Sequence, residues 1–304
     1  MVARRCPTYR GKSRVPSNNQ SAVQHGTAML GTVAAERSAT GVTGIAHQAQ
    51  VATAAVSDPS VSQNTAAAIL AAARYLQAGD VLMLELQRHF PDGAEPANGP
   101  YLPIEWWPDD YAAIRLATAQ GILVVAAAGN GEVSLDDRQF DARPVDFPKA
   151  WRNPLTRQTT DSGSILVGAG NPPPGTHNNP GCGPARSRLF FSNFGTAVDA
   201  QGWGSDVTSL AFGSLQGGVD PERWYMDESA GTSSATAMVA GSLASVQGTL
   251  RAAGLSPLTP SEARRLLRET GSPQVQLSVV PQQRIGIQPD LRQLIDAAMR
   301  LRRQ

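Results

Sequence analysis

The chain contains few of the residues that would link it to metals, membranes or anionic partners. Its 304 residues include only two cysteines, Cys6 and Cys182, too few for a disulfide framework and without metal-ligand spacing. Two cysteines are compatible either with one disulfide bridge between them or with two unpaired thiols. No apolar run approaches the roughly 18 residues of a membrane span, and a net charge of +1 gives no electrostatic case for nucleic acid. We therefore expect no cofactor, no metal, no membrane and no nucleic-acid partner.

Acidic residues are absent from the first part of the chain, where the first glutamate is Glu36 and the first aspartate is Asp58. Residues 1–24 are rich in Arg, Ser, Asn and Pro and follow neither a helical nor a strand period, which predicts an irregular or disordered segment. Their basic start is followed by polar residues, so it is not a secretory signal as it stands. Residues 25–304 are expected to form one domain.

From His25 onward, helical and strand patterns alternate along the chain. We predict helices over 25–36, 65–78, 111–120 and 233–251, a last helix opened by the capping-box pattern Thr259-Pro-Ser-Glu, and strands over 50–56, 80–86, 122–128 and 164–169. This alternation predicts an α/β fold in which helices cover both faces of a parallel sheet. Sheets of this kind bind ligands at the carboxyl ends of their strands.

Ser233 lies in a run of small residues between two glycines, AGTSSATAMVAG, at the predicted start of a helix. The backbone N–H groups and the dipole of a helix N-terminus favour negative charge that develops nearby. A serine in this position suits a nucleophile for acyl transfer. The alternative is a capping serine, or a helix of small residues that packs closely against a neighbour.

Two further segments supply the groups that such a nucleophile needs. His25 is followed by Gly-Thr and suits a general base, and Asn130 follows Ala-Ala-Ala-Gly at the end of a predicted strand, where its amide suits an oxyanion donor. Taken singly, His25 would be an ordinary helix histidine and Asn130 a turn residue. The other three histidines (His47, His89 and His177) have no comparable setting.

Together, the three segments resemble the motifs H-G-T, A-A-G-N and G-T-S-x-A-x-P of the subtilisin-like serine proteases (subtilases, peptidase S8), in the same order. The resemblance extends from His25 to the C-terminus. It implies a three-layer subtilisin-like α/β fold, with a mainly parallel central sheet and helices on both faces. It also implies serine endopeptidase activity on protein or peptide substrates, and family members are mostly exported.

The resemblance also assigns roles to individual residues. Ser233 would attack the scissile carbonyl, His25 would take its proton, and the Asn130 amide with the Ser233 N–H would hold the oxyanion. The substrate cleft would be lined by Glu85, Leu86, Gln87, Ala127 and Gly129. Glu85 stands where the family often has a small residue. We hypothesise that it biases the cleft toward basic or polar side chains, the alternative being an outward-facing strand residue.

One part of the family pattern is missing. Subtilases carry the aspartate of their catalytic triad on the first core strand, upstream of the histidine, whereas no acidic residue precedes His25 here. We therefore predict that the first core strand and its aspartate are absent and that the subtilase domain is N-terminally incomplete. Three explanations are open. The chain is a fragment or an incomplete gene model, it is an inactive relative that binds peptides or proteins, or a carboxylate comes from elsewhere in the chain or from a partner.

Overall fold

A central sheet of four parallel strands organises the structure. The computed structural model describes residues 20–39, 41–56, 64–91, 99–179, 181–277 and 282–303. In chain order the strands are β1 (Val81–Leu84), β2 (Gln87–His89), β3 (Tyr101–Pro103), β4 (Leu123–Ala127), β5 (Ile165–Gly170), β6 (Val198–Trp203), β7 (Val207–Leu210) and β8 (Tyr225–Ser229). The central sheet has the order β1-β4-β5-β6, while β2 pairs with β3 and β7 with β8 as antiparallel ribbons.

Helices lie on both faces of the central sheet. They are α1 (Gln20–Ala34), α2 (Thr65–Ala73), α3 (Pro108–Ala119), α4 (Thr232–Ala252), α5 (Pro260–Glu269) and α6 (Leu291–Arg303). Alternate residues of β4 enter different cores. Leu123 and Val125 pack with α1, α4, α5 and α6, whereas Val124 and Ala126 pack with α2 and α3. A strand that is apolar on both sides separates two helical layers in this way. The predicted three-layer α/β fold with a mainly parallel sheet is confirmed.

Most predicted elements are present, with shifted ends. The first helix begins at Gln20 rather than at His25, so part of the segment predicted to be irregular is helical, while residues 1–19 lie outside the described part of the chain. The capping box at α5 is confirmed. The Thr259 hydroxyl accepts a hydrogen bond from the Glu262 N–H, and the Glu262 carboxylate accepts one from the Thr259 N–H.

The strand predicted over 50–56 is wrong. Those residues are irregular, and 50–55 are exposed. They are three alanines, two valines, one threonine and one glutamine, and they bury too little apolar surface to hold a strand in a core. Strand β6 and helix α6, which complete the sheet and one helical layer, were not predicted from the sequence.

Strand β1 lies at the edge of the central sheet. Among the residues that the structure describes, β4 is its neighbour on one side and no strand pairs with the other. The absence of a first core strand stays a prediction. None of the described helices is long and apolar enough to cross a membrane.

Candidate active site

Ser233 lies in the first turn of α4. The preceding Gly231 has a φ of 102°, a conformation that favours glycine, and its N–H bonds the carbonyl of Gly204 just beyond β6. Ser233 itself is 8% exposed. The N–H groups of a first helical turn have no partner within the helix. The serine hydroxyl therefore lies beside backbone donors that can face an anion.

A glycine in β6 allows the start of α4 to approach the sheet. A Cβ added at Gly202 would come within 2.5 Å of the Ala235 carbonyl oxygen and 2.8 Å of its Cα. Because backbone is the obstacle, a larger residue could be accommodated only by moving the helix. The small residues around Ser233 thus allow close packing between α4 and the sheet, which was the alternative explanation of this run of small residues. This packing also sets the position of Ser233.

Asn130 is joined to the start of α4 by its side chain. Its Oδ1 accepts hydrogen bonds from the Thr232 N–H and from the Thr232 hydroxyl, both at 2.9 Å. Since a backbone N–H only donates, the atom that faces it must be the amide oxygen. The Nδ2 is therefore the other end of this amide, and it lies 3.4 Å from the position that a Cβ would take at Gly231. The amide presents its donor at the helix end that carries Ser233.

The loop that carries Asn130 is held by the buried side chain of Asn193. Its Nδ2 donates to the carbonyls of Tyr101 and Ala128 at 2.7 and 2.8 Å, and its Oδ1 accepts from the N–H groups of Gly131 and Val133 at 3.0 and 3.2 Å. All the principal hydrogen-bonding groups of this amide are used. This role of Asn193 was not predicted from the sequence, because no local pattern links Asn193 to the loop.

The start of β2 also supports Asn130. Gln87 Oε1 accepts a hydrogen bond of 2.7 Å from the Asn130 N–H. Of the five residues predicted to line the substrate cleft, three are partly exposed at the carboxyl end of β1 (Glu85, Leu86 and Gln87), and two are buried (Ala127 and Gly129). Their contact with substrate stays a prediction.

His25 lies in the second turn of α1, with its side chain 42% exposed. The helix is fastened to β7, since the Ser209 hydroxyl donates to the Ala28 carbonyl and Thr32 donates to the Ser209 hydroxyl. Partial burial lowers the pKa of His25, which favours the neutral imidazole that a general base requires. In the described residues no hydrogen bond joins His25 to Ser233, which is common for catalytic pairs without substrate.

Glu85 is the acidic residue that faces His25. Its Oε2 lies 3.4 Å from His25 Nδ1, and its side chain is 16% exposed. Burial raises the pKa of Glu85 to about 8. No sequence pattern indicated this contact, because α1 and the end of β1 are far apart in the chain. Cys182 is exposed, while Cys6 lies outside the described residues.

Comparison with known proteins identifies the family. The sequence profile of the subtilase family matches residues 8–286. The chain belongs to the subtilase family. The subtilase profile thus covers the whole central sheet and helices α1 to α5, while α6 lies beyond the matched range. No curated protein matches the sequence.

Solved structures similar to this subtilase are proteases. A protease from Pseudoalteromonas arctica is 23% identical, with a TM-score of 0.59 over 90% of this chain and 70% of its own. The patellamide maturation protease PatA is 19% identical, with a TM-score of 0.59 over 90% and 84%. The epidermin leader peptide processing serine protease of Staphylococcus aureus is 20% identical, with a TM-score of 0.56 over 90% and 63%. At these identities the likeness concerns the fold, which is that of the subtilisin-like serine proteases.

Proposed function

We propose that this subtilase is a serine endopeptidase that hydrolyses peptide bonds through an acyl-enzyme on Ser233. His25 is the general base, and the Asn130 amide with the Ser233 N–H forms the oxyanion hole. The observation that supports this most directly is the pair of hydrogen bonds from Thr232 to Asn130 Oδ1. These bonds orient the free Nδ2 donor at the helix end that carries the nucleophile.

The chemistry follows from these positions. Ser233 Oγ forms a bond to the carbonyl carbon of the peptide while His25 Nε2 takes the hydroxyl proton. The charge that develops on the carbonyl oxygen is met by donors already in place, so little reorganisation is needed in the transition state. His25 then gives its proton to the leaving nitrogen as the carbon–nitrogen bond breaks. Water then attacks the acyl-enzyme with the same help from His25, and the bond to Ser233 Oγ breaks to release the acid product.

Labelling with a fluorophosphonate tests the nucleophile. We expect the intact chain to be labelled and Ser233→Ala to give no label, because the probe reacts with activated serine hydroxyls. Ser242→Ala is the matched control, since Ser242 lies in the same helix and bonds the Met238 carbonyl. Its labelling should equal that of the parent.

A folded chain that is not labelled would contradict the proposal. Such a result would favour the second function considered from the sequence, an inactive relative that binds peptides or proteins. Equal labelling of the parent and of Ser233→Ala would show that another residue is the nucleophile. Circular dichroism of each variant establishes that it is folded.

Replacing Asn130 by aspartate tests the oxyanion hole. Asn130→Asp keeps an oxygen for the two Thr232 hydrogen bonds but removes the amide donor. Loss of one oxyanion donor lowers kcat by about 10²–10³ in other serine proteases. We expect at least this loss in kcat for a chromogenic peptide, with a much smaller change in KM.

Asn178→Asp is the matched control for Asn130→Asp, since it adds the same charge at an exposed residue. Its kcat should match that of the parent. A loss of less than about threefold in Asn130→Asp would show that its amide does not stabilise the transition state.

A further inference from the structure

The carboxylate of Glu85 has one buried oxygen, Oε2, with a single partner in reach among the described residues. Among the described residues Glu85 Oε2 accepts no hydrogen bond, although it is buried. Buried polar atoms in folded proteins are nearly always paired. The imidazole nitrogen Nδ1 of His25, at 3.4 Å, is the facing group that can donate to it. The contact tightens into a hydrogen bond with a small movement of either side chain.

We infer that Glu85 is the carboxylate that positions His25 for catalysis, in the role that an upstream aspartate fills in other subtilases. The inference rests on the proposed function, since it concerns the base that activates Ser233. It corresponds to one of the explanations left open by the sequence, in which the carboxylate comes from elsewhere in the same chain. In this role Glu85 acts through the histidine that it faces, and is therefore a positioning residue.

The geometry gives Glu85 two tasks. By accepting the Nδ1–H of His25, the carboxylate fixes the tautomer that leaves the Nε2 lone pair free for the Ser233 proton. It then stabilises the imidazolium that forms when the proton arrives. The proton moves from Ser233 Oγ to His25 Nε2 and on to the leaving nitrogen, while Glu85 stays ionised throughout.

The same segment also supports the oxyanion hole. Glu85 follows β1 directly, and Gln87, two residues later, accepts the hydrogen bond of the Asn130 N–H. The end of β1 therefore contacts both the base and the oxyanion donor. A single short connection sets the relative position of two parts of the site that lie on α1 and after β4.

The protonation of Glu85 makes the arrangement sensitive to pH. Burial raises the pKa of Glu85 to about 8 and lowers that of His25, and His25 is the charged or titratable group paired with Glu85 in the described residues. A protonated Glu85 donates its O–H to Nδ1, which places the remaining imidazole proton on Nε2 and blocks the base. We expect activation of Ser233 to rise with pH through about 8.

The test measures the rate of fluorophosphonate labelling against pH, from about pH 6 to about pH 10. In the parent we expect the rate to rise about tenfold per pH unit on the acid side and then to level off. Glu85→Gln should label about 10⁴-fold more slowly, the loss seen when the carboxylate of another triad becomes an amide. The labelling rate of Glu85→Gln should also no longer increase as the pH rises through about 8.

Two further variants are compared with Glu85→Gln: Glu85→Asp tests rescue, and Glu36→Gln is the control. Aspartate keeps the carboxylate on a shorter side chain, so we expect labelling faster than in Glu85→Gln and still dependent on pH. Glu36→Gln removes an exposed carboxylate just after α1 and should behave as the parent. Rescue by aspartate would not follow if Glu85 served only to fill space.

Stability provides the folding control. The pKa of Glu85 is raised from 4.5 to about 8 on folding, so the folded chain binds the proton more tightly and loses stability as pH rises through this window. Glu85→Gln removes this loss. Its melting temperature should therefore exceed that of the parent above pH 8, and slow labelling of Glu85→Gln at that pH does not come from unfolding.

The outcomes separate this inference from the proposed function. Absence of Ser233-dependent labelling in the parent at every pH would overturn both. Ser233-dependent labelling in the parent, with Glu85→Gln within about threefold of it and the same pH profile, would overturn the inference alone. Slow, pH-independent labelling of Glu85→Gln with rescue by Glu85→Asp would establish it.

Discussion

Replacing His25 by alanine is expected to lower kcat for peptide hydrolysis about 10⁶-fold, as removal of the base does in other serine proteases. Without the imidazole, the Ser233 hydroxyl keeps its proton and is a weak nucleophile at neutral pH. His25 is half exposed on α1, whose hold on β7 runs through Ala28 and Thr32. The variant should therefore fold normally, and its kcat can be measured directly with a chromogenic peptide.

The control for His25→Ala is His47→Ala, at a partly exposed histidine outside the site. We expect this control to keep the kcat of the parent. The double variant His25→Ala/Ser233→Ala should be about as slow as either single variant, because base and nucleophile act as a unit. A loss of less than about tenfold in His25→Ala, or additive losses in the double variant, would exclude His25 as the base.

Replacing Asp199 by asparagine is expected to lower the free energy of unfolding by about 3–5 kcal/mol, the cost of breaking a buried ion pair. Asp199 lies on β6, fully buried. Its carboxylate accepts two hydrogen bonds of 2.9 Å from Arg157 and one of 2.6 Å from Arg268, and also one from the Leu166 N–H. Asparagine keeps the shape of this side chain but removes the negative charge that accepts the hydrogen bonds of Arg157 and Arg268.

Urea unfolding followed by circular dichroism measures the loss in Asp199→Asn. The control is Glu269→Gln, which breaks the exposed ion pair between Arg265 and Glu269 on α5. Exposed pairs of this kind contribute about 0–1 kcal/mol. If Asp199→Asn cost no more than the control, the buried cluster would not stabilise the fold. At low temperature, any folded fraction of Asp199→Asn should still be labelled at Ser233.

Elements with a clear local signal were predictable from the sequence. The apolar runs of β4 and β5 and the small-residue helix α4 are present close to their predicted ends, and Thr259 caps α5 as expected. The strand expected over 50–56 fails because a run of small residues resembles a strand without burying enough surface. Strand β6 escaped prediction because polar Asp199 and Gln201 stand among its apolar residues, and both are buried against partners that are distant in the chain.

The residues of the candidate site also fall into two groups, those indicated by the sequence and those found only in the structure. Ser233, His25 and Asn130 were selected because three short segments, taken together and in order, resemble the motifs of the subtilases. The supporting contacts were not selected. Gln87 holds the Asn130 N–H, Asn193 holds the loop, and Glu85 faces His25. Each of these joins segments that are distant in the chain and adjacent only after folding.

By itself, the sequence determined the family, the α/β class and the three residues proposed to carry out catalysis, because motifs and hydrophobic periods are local properties. It also showed that no carboxylate precedes His25. Only the tertiary structure decided which carboxylate faces the histidine. Strand β1 pairs with β4 and ends beside α1, so Glu85 reaches His25 Nδ1 through packing that no spacing in the chain encodes.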